Sequence, residues 1–499
     1  MKFAPSALHF GCAPDIMAGL VRAAPRSLPR TARGRKGGTG ALLIRRIKSS
    51  TEGSVWPAVP SRLPATLLAI QYQLEQSQWL PPESLRLQQF TQLQALLRHA
   101  AGTVPYYKKR LAEAGIDAEA RLDDGSWARV PLLARRDIQG AGDRLASTAP
   151  PKAHGKVHEM STSGSTGMPV TTRGTELTRV FWLAFTLRDQ IWQDFDFSKT
   201  MAAIRHVPGD AAKYPKGARA PGWGPATDPI FETVPSYLLS IATPVEQQLE
   251  WLVRHKPEYL ITYPSNLMAL LMHSKAERIR LPGLRFVETL SEILHPEVRD
   301  ACREVWGVKI TDMYSSQEVG YMALQCPDHE HYHVQAENVL LEILDQAGRP
   351  CAPGETGRVV VTTLHNYAMP LIRYDMGDFA VAGEPCPCGR GLPVITRILG
   401  RVRNMLTLPS GGRVWPYFGG DSFAKIAPVR QYQVVQKSLT GLELRVVAQR
   451  PLTSAEEDAL RKHIAKQVGE DFTITFSYHE EIARSKGGKF EDFRSELAG

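Results

Sequence analysis

The chain lacks the long hydrophobic run that a membrane-spanning helix requires. Hydrophobic residues make up 43% of its 499 positions, but no stretch approaches the ~18 consecutive apolar residues of a span. Cysteine is also scarce, with six in the whole chain, which excludes the disulfide framework of a small secreted protein. We therefore expect a cytoplasmic protein, and its length predicts two or more domains.

Acidic residues are nearly absent from the first 50 positions, which hold ten lysines and arginines and one acid, Asp15. The remaining chain has 50 basic and 50 acidic residues, so this segment alone accounts for the net charge of +9. A neutral body argues against a nucleic-acid-binding protein, which needs a basic patch on its folded part. Residues 1–62 are predicted to be a basic, disordered extension. A targeting peptide and translation from an upstream start site are the alternatives.

The stretch of sequence that is most typical of a ligand-binding loop contains no lysine. Ser161-Thr-Ser-Gly-Ser-Thr-Gly-Met-Pro169 contains five hydroxyl side chains and two glycines, but it lacks the lysine of a Walker loop. Glycine lets the backbone close against a ligand, and successive exposed N–H groups form an anion-binding concavity. The stretch therefore predicts a phosphate-binding loop, with a flexible polar loop as the alternative.

Downstream of this loop, strand-like and helix-like patterns alternate. Apolar runs at Tyr259–Tyr263, Leu284–Leu290 and Val308–Met313 are each followed by polar residues, which favours an α/β sheet. Ligands bind beyond the carboxyl ends of such strands. The candidate binding residues at these ends are Tyr263, Glu288, Ser291, Glu292, Tyr314 and Glu318.

The last 95 residues or so show a second, smaller pattern of strands around one helix. Strand-like runs cover Gln431–Gln436, Leu442–Val447 and Phe472–Tyr478, and the predicted helix covers Ser454–Val468. Ser454 with Glu457 three residues later reads as a capping box at the start of that helix. This region is predicted to be an α+β unit.

Five motifs resemble, in order and spacing, those of the adenylate-forming (AMP-binding) superfamily. They are the Ser161–Pro169 loop, Tyr314–Gly320, Tyr374–Asp378, Gly400–Arg401 and Gly487–Lys489. The resemblance covers roughly Phe90 to Leu497. It implies a large, multi-subdomain α/β N-terminal domain over 63–402, and a small mobile α+β C-terminal domain over 403–499.

Four further stretches indicate the branch of that superfamily. The chain resembles the phenylacetate–coenzyme A ligase-like group, and within it the capsule-polysaccharide-biosynthesis branch. The stretches are Val104–Tyr107, His365–Asn366, Cys386–Gly389 and Tyr432–Gln436.

The resemblance implies that one group of residues binds ATP. Tyr314 would stack on adenine with Ser291 and Glu292 nearby, and Asp378 would accept hydrogen bonds from the ribose with Arg401 close by. The residues implied to wrap the β- and γ-phosphates are Ser163, Gly164, Ser165, Thr166 and Gly167.

Three residues are implied to take part in the chemistry. Glu318 would ligate Mg²⁺, a hard cation that prefers carboxylate oxygen. Lys489 would reach the carboxylate and the α-phosphate as negative charge develops. Thr166 of the phosphate loop completes the implied catalytic set.

The implied reaction has two steps. A carboxylate, expected to be small and aromatic, attacks the α-phosphorus of Mg·ATP to give an acyl-adenylate and pyrophosphate. Coenzyme A, or alternatively the pantetheine of a carrier protein, then takes the acyl group.

We expect the acyl pocket around Arg205–Pro208, Tyr237 and Tyr259–Ser265. A homodimer is possible on this reading, and a non-catalytic factor of surface-polysaccharide biosynthesis is the competing function.

One position departs from the family pattern. The superfamily commonly has Gly-Arg-x-Asp-Asp, whereas this chain has Gly400-Arg-Val-Arg-Asn404. The C-terminal unit of the family rotates between the two half-reactions about a hinge at this place. Arg403 therefore puts a cation where an acid is common, which bears on the second half-reaction more than on the first.

Three cysteines and one histidine are predicted to form a structural zinc site, as in some relatives. Zinc takes four nitrogen or sulfur ligands in a tetrahedron. Cys326, Cys386 and Cys388 supply three, and the fourth is one of His329, His331 and His333. The family pattern favours His333. Buried, reduced thiols without a metal are the alternative.

Overall fold

The computed structural model describes residues 46–161, 170–401, 404–419, 422–485 and 487–497. In these ranges the helices are α1 Arg62–Ser77, α2 Pro82–Thr103, α3 Pro105–Glu113, α4 Asp124–Arg129, α5 Arg135–Ala141, α6 Glu176–Trp192, α7 Val245–His255, α8 Pro264–Ala276, α9 Pro296–Val305, α10 Ser422–Ile426 and α11 Ser454–Val468. The strands are β1 Val157–Ser161, β2 Thr171–Thr175, β3 Met201–Arg205, β4 Ala218–Ala220, β5 Ser236–Ser240, β6 Tyr259–Thr262, β7 Phe286–Thr289, β8 Lys309–Ser316, β9 Gly320–Gln325, β10 Tyr332–Val334, β11 Val339–Leu344, β12 Thr356–Thr363, β13 Tyr374–Ala382, β14 Val394–Arg401, β15 Leu406–Thr407, β16 Arg413–Val414, β17 Val429–Ser438, β18 Gly441–Ala448, β19 Thr473–Tyr478 and β20 Phe493–Ser495.

A mixed sheet of twelve strands runs through residues 201–401. Its order is β11-β12-β13-β14-β10-β9-β8-β7-β6-β3-β5-β4. Strands β5, β3, β6, β7 and β8 are parallel to one another, because helices such as α8 and α9 connect them. From β8 onward the strands are antiparallel. The three predicted strands correspond to β6, β7 and β8, and the predicted α/β class is confirmed.

The parallel half of the sheet is buried by helices on both faces. Leu260, Val287 and Ile310 lie in the core with α8 residues such as Leu267, while Phe286 packs on the side of α6. Parallel strands that are covered on both faces usually have nearly continuous apolar sequences. Polar residues within these strands are therefore exceptions to the usual pattern of a buried strand.

The N-terminal helices pack against the antiparallel half of the sheet. In α2, Leu93, Leu96 and Leu97 are fully buried at helical spacing. Tyr107 of α3 donates from its hydroxyl to the Pro370 carbonyl at 2.9 Å and accepts from the Ile372 amide at 3.0 Å. The tyrosine thereby ties the Val104–Tyr107 motif to the segment that enters β13.

The C-terminal residues form a four-stranded sheet in the order β19-β18-β17-β20, covered by α11. The capping box of α11 lies one residue earlier than the sequence predicts. Thr453 is the N-cap, its hydroxyl accepting from the Glu456 amide at 3.3 Å while the Glu456 carboxylate accepts from the Thr453 amide at 2.8 Å. The prediction of Ser454 and Glu457 was wrong because both i, i+3 pairs suit the motif, and sequence alone does not choose between them.

Most of the predicted extension 1–62 lies outside the described part of the chain, in residues 1–45. Its last residues, 46–61, run along the folded body. Ile47 forms a β-bridge with Phe231, and the Lys48 amide donates to the Ile230 carbonyl at 2.7 Å. Within the described residues, no helix has the length and apolarity to cross a bilayer.

Candidate active site and metal centre

The antiparallel pairing of β13 and β14 brings Asp378 and Arg401 together. The two residues are register partners, and Arg401 Nε lies 3.3 Å from Asp378 Oδ1. Tyr314 of β8 donates from its hydroxyl to Asp378 Oδ2 at 2.7 Å. Three motifs that are far apart in sequence thus meet at one carboxylate.

Tyr314 is anchored rather than freely exposed. Burial, followed by the charge of Asp378, raises its pKa well above 10.0. The hydroxyl therefore stays protonated and remains a donor to Asp378 at any ordinary pH. Its predicted stacking on adenine stays a prediction.

Lys489 reaches this group from the C-terminal part of the chain. Burial, then the neighbouring charge of Arg401, lowers the pKa of the lysine, while Glu292, Asp378 and Glu318 oppose that shift. Glu318 is itself buried, 6% exposed, just after β8. Lys489 is thus partly buried and feels the charges of three carboxylates, which is the setting of a group that neutralises an anionic ligand.

A tight turn presents Lys489. The Ser485 amide donates to the Lys489 carbonyl and the Gly488 amide to the Ser485 carbonyl, both at 2.8 Å. Gly488 has φ of +78°, and a Cβ there would lie 2.9 Å from Cβ of His206. Only glycine fits both the conformation and the close approach. The Tyr263 hydroxyl also donates to the Gly487 carbonyl at 3.2 Å.

Glu292 joins the C-terminal turn to the N-terminal body. Its Oε1 accepts from the Phe490 amide at 2.6 Å, and its Oε2 accepts from the Ser265 amide at 2.9 Å. Arg484 lies 3.7 Å from Glu292 and donates to the Ser265 hydroxyl at 3.0 Å. Neighbouring Ser291 has φ of +71°, a strained conformation for a residue with a side chain.

The sequence did not point to Arg484 as a site residue, and it assigned Ser265 to the acyl pocket rather than to a contact with the C-terminal turn. The only signal for Arg484 was its position in the basic segment just before Lys489. Glu288, which the sequence placed at a strand end, is an interior residue of β7.

Two sets of predicted residues lie outside the described part of the chain. Ser163, Gly164, Ser165, Thr166 and Gly167 fall between β1 and β2, which pair as a hairpin with Ser161 opposite Thr171. Arg403, at the implied hinge, falls directly after β14. Their roles stay predictions.

Cys326, His333, Cys386 and Cys388 form a candidate metal centre. Their potential ligand atoms all lie within 4.8 Å of one another. The sulfurs of Cys326 and Cys386 are 3.9 Å apart, close to the ~3.8 Å edge of a tetrahedron with Zn–S bonds of ~2.3 Å. The Nε2 atom of His333 lies 3.4 Å from the Cys388 sulfur. Three thiols and one imidazole fit a tetrahedral site.

His331 remains a neighbour of this group. Its Nε2 lies 2.9 Å from the Cys386 sulfur, and burial followed by the charge of His333 lowers its pKa. Hydrogen bonds, first from Cys326 and then from His333, lower the pKa of the Cys388 thiol against the opposing effect of burial. Thiolate is the form that binds metal.

Two further carboxyl groups are buried, Asp189 in α6 and Glu288 in β7. Burial, followed by the charge of Asp312, raises the pKa of Asp189 from 3.8 to about 7. Burial and Asp189 raise the pKa of Glu288 well above 4.5. Since the folded protein holds these protons more tightly than the unfolded chain, stability falls as pH rises from ~4 through 7.

Asp189→Asn is expected to reduce the fall in folding stability that accompanies the rise in pH. The melting temperature of the variant should rise relative to wild type as the pH increases from 5 to 8. A one-unit pKa difference corresponds to ~1.4 kcal/mol, which melting curves at several pH values resolve. Asp300→Asn, at an exposed position of α9, is the control. A variant difference that is constant across this pH range would contradict the buried, protonated assignment.

Two family models match the chain in the regions that carry these features. The AMP-binding enzyme model matches residues 237–368, and the CapK C-terminal domain model matches residues 406–495. The phenylacetate–coenzyme A ligase of Thermus thermophilus is 27% identical over 450 residues, covering 82% of this chain and 96% of its own length. The enzyme of the same name from Escherichia coli is 22% identical, covering 81% and 93%.

Solved structures agree with the fold. A 2-hydroxyisobutyryl-CoA ligase in its postadenylation state superposes with a TM-score of 0.66 at 18% identity, covering 85% of this chain and 92% of its own. An open conformation of that ligase, in complex with coenzyme A, gives 0.54 at 20% identity, covering 84% and 93%. The fold is that of adenylate-forming enzymes, and an AMP-binding enzyme model matches part of it. The chain is similar to the phenylacetate–coenzyme A ligases, and its C-terminal residues match the CapK C-terminal domain.

Proposed function

We propose that the protein activates a small carboxylic acid with ATP and transfers the acyl group to coenzyme A. The observation that carries the proposal is the grouping of Arg401 with Asp378, and of Lys489 and Glu318 near enough for their charges to act on that pair. These residues come from four separate motifs, and a protein that had kept only the fold would have no need to preserve them together.

In the first half-reaction, the acid's carboxylate oxygen bonds to the α-phosphorus and the bond to the pyrophosphate leaving group breaks. Lys489 neutralises charge on the carboxylate and the α-phosphate, which lowers the cost of bringing two anions together. Glu318 would hold Mg²⁺, which supplies further charge neutralisation when bound. Asp378, fixed by Tyr314 and Arg401, would orient the ribose.

In the second half-reaction, the thiol sulfur of coenzyme A attacks the acyl carbonyl and AMP leaves. The named relatives support coenzyme A as the acceptor. A carrier-protein pantetheine presents the same thiol and remains the alternative acceptor.

The acid is proposed to be small and aromatic, in line with the names of the relatives.

The test is pyrophosphate release with Mg·ATP and a panel of acids that includes phenylacetate, benzoate and 2-hydroxyisobutyrate, with and without coenzyme A. Acid-dependent release that coenzyme A accelerates would support the proposal. Absence of ATP binding would overturn it in favour of a non-catalytic role in surface-polysaccharide biosynthesis.

Asp378→Asn is expected to raise the Kd for Mg·ATP by about tenfold or more. The change removes the charged acceptor that Arg401 and Tyr314 orient, and hydrogen bonds to charged groups contribute ~1.5–3 kcal/mol. Titration calorimetry measures the effect. Asp375→Asn, three residues earlier in β13, is the matched control and should bind ATP as wild type does. Equal affinities of the two variants would exclude Asp378 from the nucleotide site.

Structural zinc is proposed for the Cys326–His333–Cys386–Cys388 group. Its sulfur-rich, buried ligand set suits a closed structural site rather than a catalytic one.

A further inference from the structure

Glu292, Ser265 and Arg484 form a connected polar group around the Lys489 turn, here called the latch. Glu292 receives one hydrogen bond from each side of the contact, the Ser265 amide at the start of α8 and the Phe490 amide next to Lys489. Arg484 closes the group by donating to the Ser265 hydroxyl at 3.0 Å and to the Gly488 carbonyl at 3.2 Å. The two residues that flank Lys489 are thus both fixed.

The chemistry of the latch explains why a carboxylate is needed. A carboxylate accepts at both oxygens, so it can serve two N–H donors and a nearby guanidinium at once. Ser265 is the second residue of α8, and a helix start supplies unpaired N–H groups that favour negative charge. Glu292 therefore remains satisfied by Ser265 even when the Lys489 turn leaves, which suits a contact that has to break and re-form.

We propose that Glu292 and Arg484 are positioning residues that hold Lys489 in place for adenylate formation and have no part in the transfer to the thiol. The inference rests on the proposed function and deepens it. The family resemblance associates Glu292 with the adenine region, whereas its carboxylate here is engaged by the backbone on both sides of the contact. It acts on the nucleotide through Lys489.

Glu292→Gln is the direct test, because the amide nitrogen cannot accept a hydrogen bond and one of the two N–H donors loses its partner. Hydrogen exchange of the free protein is measured first, since it requires no substrate. Amides of residues 487–490 should exchange about tenfold faster or more in the variant. Strand β6 and strand β17 should be unchanged. Glu277→Gln, exposed just beyond the opposite end of α8, is the control and should exchange as wild type.

The two half-reactions are then measured separately. With the acid that the panel identifies, the kcat for pyrophosphate release should fall about 10- to 100-fold while KM for ATP changes little. Thioester formation from synthetic acyl-adenylate and coenzyme A should stay close to wild type. Unchanged exchange at 487–490, or equal losses in both half-reactions, would overturn the proposal.

Arg484→Gln, with exposed Arg430→Gln as its control, provides a second variant that leaves the Glu292–Ser265 contact in place. It should show the same pattern of faster exchange and slower adenylation. If wild type releases no pyrophosphate with any acid, the proposed ligase activity fails, but the exchange result still decides whether the latch exists.

Discussion

Lys489→Ala is expected to lower the rate of adenylate formation about 100- to 1,000-fold, the range observed when a preorganised charge-stabilising donor is removed. The lysine comes from the C-terminal turn and feels the charges of the carboxylates Glu292, Asp378 and Glu318. Attack of a carboxylate on a phosphate joins two anions, so loss of this charge acts on the transition state. KM for ATP should change much less, because Asp378 and Arg401 remain.

The measurement is single-turnover pyrophosphate release, with Lys462→Ala as control. Lys462 is an exposed residue of α11, so its loss removes the same charge from the same part of the chain without touching the site. Thioester formation from preformed acyl-adenylate should survive in both variants. An adenylation rate within threefold of wild type in Lys489→Ala would exclude the lysine from the chemistry.

The sequence predicted the parts of the fold in which an apolar run along the chain corresponds to a buried strand. Strands β6, β7 and β8 are apolar runs between helices, and the sheet buries them on both faces. The Tyr314, Asp378 and Arg401 motifs were each recognised locally, and the strand register then places their side chains in contact.

The latch was not predictable in the same way. Its bonds join Glu292 and Ser265 to Arg484 and the Phe490 amide, about 190 or more residues away, and two of the bonds use backbone groups that any sequence supplies. The pairing of Asp189 with Glu288 was not predictable for a related reason. The two residues lie in separate elements, α6 and β7, and only tertiary packing brings them together.

The metal ligands show how spacing and structure complement each other. Cys326 follows β9, His333 lies in β10, and Cys386 and Cys388 lie between β13 and β14. The sequence left three histidines open. The structure groups His333 with the three cysteines, whereas His331 lies outside that group, with its ring 2.9 Å from the Cys386 sulfur. Adjacent residues of a strand point to opposite faces, but His331 and His333 are two apart, so alternation alone could not separate them.

Cys386→Ser is expected to release the metal and to lower the melting temperature by about 5 °C or more, since loss of a structural metal costs several kcal/mol. Wild-type protein should contain one zinc per chain, and the variant much less, by elemental analysis. Cys351→Ser is the control, because Cys351 is a free cysteine outside the group. Melting temperatures that are the same in both variants, with no zinc in wild type, would identify the group as buried thiols.

The effect of Cys386→Ser should be on stability rather than on catalysis. Val394, at the start of β14, packs against Cys326 and Cys386, whereas Arg401 ends the same strand at the candidate active site. An eight-residue strand spans ~25 Å, too far for the metal to contact the nucleotide. A metal bound there would instead join β9, β10 and the β13–β14 connection, and strands β13 and β14 carry Asp378 and Arg401. Well below its melting temperature, the variant should therefore retain kcat and KM within about threefold of wild type, and its activity should be lost on heating at the lower temperature at which it unfolds.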